Sequence, residues 1–193
     1  MKEYLACFLG IPLPQGNHSE FGRLLVDIKK IDPNLTVEDP SKLVPHLTIH
    51  YLGKQSEEAV SQIAEITEDH TSLLQGVRLK ISKLGFFREN DPRVIYLKVK
   101  YPSVLCDFNE LVVKDLAPFI SGEESLPFHP HMTVARMRTE AAQASFARKK
   151  LQLEERLDRI SWDFPITEAV LFGVDPQDKQ KIHQRLITMP IGK

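Results

Sequence analysis

Two tripeptides in this chain carry the residue types needed to move protons around a small anionic group. They are His46-Leu47-Thr48 and His131-Met132-Thr133, and each follows a proline, Pro45 and Pro130. Each lies in a short apolar run that reads as a β-strand. Side chains two apart on a strand point to the same side, so each His shares a face with its Thr. If the two runs converge, two imidazoles and two hydroxyls meet one ligand. Imidazole titrates near ~6.5, so at neutral pH one ring can be neutral while the other is protonated. That combination suits a phosphodiester. A base deprotonates the attacking water or hydroxyl, an acid protonates the leaving oxygen, and each role is worth ~10²–10⁴ in rate. The Thr hydroxyls can donate to the non-bridging oxygens and stabilise developing charge. This chemistry needs no metal, and no cofactor is expected.

The elements that must position these residues follow from apolar spacing and caps. Residues 4–13 read as a strand, ended by Pro12, Pro14 and Gly16. Phe21, Leu24, Leu25 and Ile28 recur at helical spacing, with Ser19 as the N-cap. A polar stretch with Asp32-Pro33-Asn34 and Asp39-Pro40 leads to the first His-Thr strand, residues 46–52, closed by Gly53. Ser56, followed by Glu57 and Glu58, starts a helix to about residue 74, with Val60, Ile63, Ala64 and Thr67 inward. Strands at 77–87 and 94–100 flank a turn at Asn90-Asp91-Pro92. Ser103 caps a helix with Phe108, Leu111, Val112 and Asp115 along one side. Residues 122–127 form a loop, and 128–136 are the second His-Thr strand. Thr139-Glu140 opens a helix to about residue 157, with Ala142, Phe146, Leu153 and Leu157 on its buried stripe. Strands at 160–164, 167–174 and 183–189 complete the chain, with Asp175-Pro176 turning before the last.

Strand, helix, His-Thr strand and helix thus occur twice in one order, at an offset of about 83–90 residues. The expected class is α+β, a single domain over 1–193 made of two pseudo-symmetric lobes facing a cleft. Composition fits a globular protein of that size, with 42% hydrophobic and 26% charged residues among 193. A net charge of −1 excludes a bulk electrostatic commitment to nucleic acid or membrane, so any such contact must be local. The apolar run at 4–11 has about the minimum length of a signal-peptide core, roughly 7–15 residues, but Pro12 and Pro14 interrupt it. It reads as a buried first strand, and no stretch approaches the roughly 20 apolar residues of a membrane span. Cys7 and Cys106 have no metal-type spacing and read as small hydrophobes in a reducing compartment. A cytoplasmic monomer is expected.

Pro45-His46-Leu47-Thr48-Ile49-His50-Tyr51-Leu52-Gly53 and Pro130-His131-Met132-Thr133-Val134-Ala135-Arg136 resemble the paired motifs of the 2H phosphoesterase superfamily. Within it they most resemble the 2′-5′ RNA ligase-like and RNA 2′,3′-cyclic phosphodiesterase group. Phe8-Leu9-Gly10-Ile11-Pro12-Leu13-Pro14 is similar to that group's first strand. Leu84-Gly85-Phe86-Phe87 and Arg93-Val94-Ile95-Tyr96-Leu97 are similar to the stretch between its motifs. The resemblance implies a bilobal duplicated α+β fold and metal-independent cleavage of cyclic or 2′-5′ phosphodiesters. Its implied substrates are RNA ends, oligonucleotides or small cyclic nucleotides. It implies that His46 and His131 are the acid–base pair, with His46 the acid and His131 the base, the roles exchanging when the reaction runs backwards. It also implies that Thr48 and Thr133 bind phosphate. Two further activities within the class are a 2′-5′ oligonucleotide phosphodiesterase and a reversible 2′-5′ RNA ligase. Outside it stands a non-catalytic RNA-end or nucleotide-binding module that keeps the cleft.

Arg136 matches the arginine that often ends the second motif, where it would hold a phosphate oxygen or the strand end. On a regular strand its parity is wrong for the face of His131 and Thr133. Either the strand ends or bulges there, or Arg136 is structural. His50 stands where a small or apolar residue is more usual in the family. His50 and His129 share the parity of the motif residues, so each lines the cleft or sits at a strand margin. With His46 and His131 they give a rival reading, a zinc site with His-x3-His and His-x-His spacing. That reading leaves both Thr residues unexplained and supplies no carboxylate. Phe86, Phe87 and Tyr96 read as core, and Phe87, beside Arg88, is the one best placed to stack on a base. Arg148-Lys149-Lys150 alternates with Glu154-Glu155 as a solvated helix face. His18, His70 and His183 carry no local pattern.

Overall fold

In the computed structural model, residues 2–87, 92–120 and 127–192 are described. The strands are β1 (Glu3–Pro12), β2 (Thr36–Val37), β3 (His46–Ser56), β4 (Arg78–Phe87), β5 (Val94–Lys100), β6 (His131–Arg136), β7 (Ser161–Pro165), β8 (Glu168–Val174) and β9 (His183–Pro190). The helices are α1 (His18–Ile31), α2 (Glu57–His70), α3 (Val104–Asp115) and α4 (Glu140–Leu157). The strands form two antiparallel sheets, one in the order β3-β1-β8-β9 and the other β2-β6-β5-β4-β7. The fold is α+β, with the two sheets facing a central cleft and helices outside.

Strand position explains the residue patterns. β1 and β8 lie inside their sheet, and Cys7–Pro12 and Ala169–Val174 are buried on both faces. Their sequences therefore run apolar without alternation. β3 and β7 lie at sheet edges and alternate buried with less buried residues. Ser56 and Thr139 start α2 and α4 as their types demand: each hydroxyl oxygen accepts an N–H three residues on, from Ala59 and Ala142, at 3.1 Å.

The helices cross between the sheets. α1 follows β1 but packs against α4 and β2, with Phe21 6.2 Å from Trp162 of β7. α3 follows β5 of the second sheet but packs against α2 and β3. Polar ties reinforce the first exchange: Arg156 of α4 donates to Asp27 of α1 at 2.6 Å, and Lys149 donates to the Ile31 carbonyl at 2.6 Å.

Several boundaries differ from the sequence expectation. Gly53 does not close β3; it takes φ 73° within the strand, which continues to Ser56. β2 is two residues long, too short for any period to show. β6 begins at His131, and residues 128–130 stay outside it. α1 begins at His18, ahead of the Ser19 cap. α2 ends at His70, and Thr71–Leu74 form a 3-10 turn. α3 buries Leu105 and Asn109 beside Phe108 and Val112, while Leu111 is 40% exposed. The turn at Asn90-Asp91-Pro92 and the loop at 122–127 fall mostly outside the described residues.

Candidate active site

The two His-Thr strands meet across the cleft. His46, Thr48, His131 and Thr133 line one cavity of about 260 Å³, together with Tyr51, Arg136 and Glu38. The imidazoles are held alike. Nδ1 of His46 bonds the Val44 carbonyl at 2.9 Å, and Nδ1 of His131 bonds the His129 carbonyl at 2.7 Å. A carbonyl only accepts, so Nδ1 carries the proton in each ring and the neutral form leaves Nε2 bare. A bare Nε2 can take a proton, and a protonated one can give it back.

Both strands carry a bulge one residue after the Thr. Leu9 faces His50 and Gly10 faces Thr48, so Ile49 is the extra residue of β3. Ile95 faces Ala135 and Tyr96 faces Thr133, so Val134 is the extra residue of β6. A bulge resets the alternation beyond it. Arg136 thereby returns to the face of His131 and Thr133, which answers the parity difficulty in favour of a bulge. By the same reset Tyr51 joins His46 and Thr48 on the cleft, and His50 does not. His50 turns into a separate cavity with Asn109 and Lys114.

The bulge carbonyls are satisfied by different means. Val134 accepts the backbone N–H of Glu38 at 2.9 Å, just beyond β2. Ile49 accepts Nδ2 of the buried Asn109, on α3, at 2.9 Å. Glu38 also accepts Nε of Arg136 at 3.1 Å, steadying the guanidinium at the cleft.

The floors of the two sites differ too. Opposite Thr48 stands Gly10; a Cβ there would lie 3.4 Å from Cδ2 of His46 and 3.1 Å from the Leu47 carbonyl oxygen. Opposite Thr133, at the same register, stands Tyr96, whose ring occupies the space over Gly85. His46 therefore settles deep, stacked on Phe8 at 4.5 Å with Phe172 at 5.7 Å. Burial pushes its pKa down to about 4, outweighing the Val44 carbonyl, which favours the charged ring; His183, His131 and Arg136 push the same way as burial. His131 is also lowered, first by burial, against the His129 carbonyl and with help from His129 and Arg136.

Phe87 does not line the cleft cavity. Its ring meets His131 edge-on, 4.7 Å away at 87°, and lies 4.5 Å from Tyr96. That contact braces the His131 ring. His129 is engaged by the Tyr96 hydroxyl at 3.1 Å. With His50 and His129 thus occupied elsewhere, the four histidines of the zinc reading do not converge. Among the described residues no three His, Cys, Asp or Glu side chains gather to hold a metal ion. The basic run on α4 is partly engaged, Lys149 at the Ile31 carbonyl and Lys150 over the Phe86 ring.

The structure adds Tyr51, Glu38, Phe8 and His183 to the cleft. Tyr51 had a signal: it sits at the repeat offset of about 85 residues from Arg136. His183 had none.

Paired His-x-Thr strands, one from each of two antiparallel sheets and converging on one cavity, define the two-histidine class of phosphoesterase. The 2′-5′ RNA ligase superfamily matches this chain over residues 23–178, and the chain belongs to that superfamily as a phosphodiesterase of the 2H type. An RNA 2′,3′-cyclic phosphodiesterase of Bacillus subtilis (strain 168) is 27% identical over 134 residues, 68% of this chain and 71% of that protein. In fold the chain is similar to TT0787 of Thermus thermophilus, with a TM-score of 0.72, 20% identity and coverage of 97% and 98% of the two chains. It is likewise similar to E. coli LigT complexed with 3′-AMP, with a TM-score of 0.65, 18% identity and coverage of 98% and 99%. No helix among the described residues is long and apolar enough to cross a membrane.

Proposed function

We propose that this protein hydrolyses RNA-type 2′,3′-cyclic phosphates without a metal, using His46 and His131 as its acid–base pair. One observation carries the reading: two imidazoles, each tethered through Nδ1 to the carbonyl two residues back, face one cavity with two Thr hydroxyls. The cyclic phosphate lies between the rings. Thr48, Thr133 and Arg136 donate to its non-bridging oxygens. One imidazole takes a proton from water as the water oxygen bonds to phosphorus. The other gives a proton to the ribose oxygen as its bond to phosphorus breaks, leaving a phosphomonoester and a free hydroxyl. The pair ends with its proton exchanged, so the reverse reaction uses the same groups.

The depth of His46 bears on who does what. His46 is the more deeply buried ring, which favours its neutral form and supports His46 as the base and His131 as the acid. This is the reverse of the order that the family resemblance implies. The free thiols of Cys7 and Cys106 suit the cytoplasm.

The test is a substrate panel in excess EDTA: 2′,3′-cyclic mononucleotides, cyclic-phosphate-ended RNA, and 2′-5′ and 3′-5′ oligonucleotides. Turnover of the cyclic substrates, nearly abolished in His46→Ala and in His131→Ala, is the expected result. Binding without turnover would leave a recognition module. Activity lost to chelation and restored by zinc would overturn the two-histidine mechanism.

A further inference from the structure

His183 is a third imidazole of the cleft, and neither His-Thr motif accounts for it. It opens β9, opposite Val174. Its backbone N–H donates to the Lys42 carbonyl at 2.9 Å, fastening it to the segment that brings Leu43 and Val44 to the cleft wall. The turn leading into it is locked. The Asp178 carboxylate accepts the N–H groups of Gln180 and Ile182 at 2.9 and 3.0 Å. Lys181, two residues before His183, is held at φ 52°, a left-handed conformation unfavourable for a residue with a Cβ. So the backbone sets where this imidazole stands, while among the described residues its ring has no hydrogen-bond partner.

Its place relative to the reaction centre is defined by Phe8. The Phe8 ring lies 4.5 Å from His46 and 5.7 Å from His183, and Phe172 stacks beneath it at 4.9 Å. Both imidazoles thus contact one buried aromatic ring at the wall of the cavity they share. Among the charged groups acting on His46, His183 is the strongest.

We propose that His183 is a second anion subsite. While His46 and His131 hold the scissile phosphate, His183 receives the phosphate at the other end of the same ribose. A ribose bearing a 2′,3′-cyclic phosphate and a 5′-phosphate places its two anionic groups on opposite sides of one five-membered ring. Both imidazoles line one cavity, so such a ligand can present one anionic group to each. The substrate this favours is an RNA 3′ end, whose last nucleoside is joined through a 5′-phosphate, over a free cyclic mononucleoside phosphate. The proposal rests on the phosphodiesterase reading above for its catalytic meaning, but the subsite can be tested by binding alone.

Calorimetric titration with adenosine 3′-monophosphate and adenosine 3′,5′-bisphosphate compares one phosphate with two. The unmodified protein should bind the bisphosphate about tenfold tighter, the size expected of one charge-assisted hydrogen bond. His183→Ala should abolish that preference by weakening the bisphosphate about tenfold more than the monophosphate, and His183→Lys should restore it. Equal affinities in the unmodified protein, or equal weakening of both ligands by His183→Ala, would overturn the subsite. In kinetics, His183→Ala should raise KM for 5′-phosphoadenosine 2′,3′-cyclic phosphate by a larger factor than for adenosine 2′,3′-cyclic phosphate. Discrimination in binding with no turnover of either cyclic substrate would keep the subsite and sink the phosphodiesterase reading.

Discussion

The two His-Thr strands do the same thing on different supports. β3 and β6 share the preceding proline, the Nδ1-to-carbonyl tether, the bulge after Thr and a side chain returned to the cleft by that bulge. They differ in everything around that. β3 is an edge strand in its sheet, so a side chain on α3 must satisfy its bulge carbonyl. β6 has β2 beside it, so backbone does the same work. Gly10 lets His46 sink, whereas Tyr96 fills the equivalent place under His131. The returned side chain is an aromatic phenol, Tyr51, on one strand and a cation, Arg136, on the other. Conserving the reactive atoms while varying their surroundings gives two identical rings different proton affinities. That difference is what an acid–base pair requires.

The largest test of this comparison is removal of each ring. His46→Ala and His131→Ala should each lower kcat by ~10²–10⁴ on a 2′,3′-cyclic mononucleotide, and the double variant should lose little more than the worse single one. A single variant with unchanged kcat would break the equivalence of the strands. Next in size, Thr48→Val and Thr133→Val should each cost about 10² in kcat/KM, as the loss of an oxyanion donor does. Unequal losses would show which hydroxyl faces the developing charge.

Asn109→Leu tests the edge. It leaves the Ile49 carbonyl buried without a donor, an expected cost of ~1–3 kcal/mol in urea unfolding. It should also lower kcat/KM by about tenfold as Thr48 and Tyr51 lose their bracing, with His131-dependent titration unchanged. Kinetics untouched in a destabilised but folded variant would confine Asn109 to stability.

The subtlest test is pH. One neutral and one protonated ring coexist only between the two lowered pKa values, so the kcat/KM optimum of the free enzyme should lie on the acid side of ~6.5. Phe8→Leu, which thins the cover over His46, should move the acid limb upward. Stability follows with its own sign. His46 is lowered to about 4 in the folded chain, so between ~6.5 and 4 the unfolded chain binds the extra proton and stability falls as pH drops. His46→Gln should flatten that slope in urea melts at pH 7, 5 and 4.

How much of this was written in the residue order depends on the kind of signal. The motif His and Thr pairs, the caps at Ser56 and Thr139, and the buried stripe of α4 follow from local chemistry. They stand where their types and spacing require. The bulges do not show, because nothing in Thr48-Ile49-His50 marks Ile49 as the extra residue. It became extra through pairing with β1, a long-range fact. That is why alternation gave His50 the parity of the cleft residues and denied it to Tyr51. Comparing the repeats would have corrected it, since Arg136 and Tyr51 are counterparts. His183 stayed hidden because its place comes from sheet order: β9 is the third strand from β3, and only assembly puts its first residue near Phe8.

The crossing of α1 and α3 has a mechanical consequence. Each jaw of the cleft is backed by a helix that enters from the opposite sheet, so the jaws cannot part without dragging both connections. That exchange ties the two sheets to each other as a clasp ties two edges.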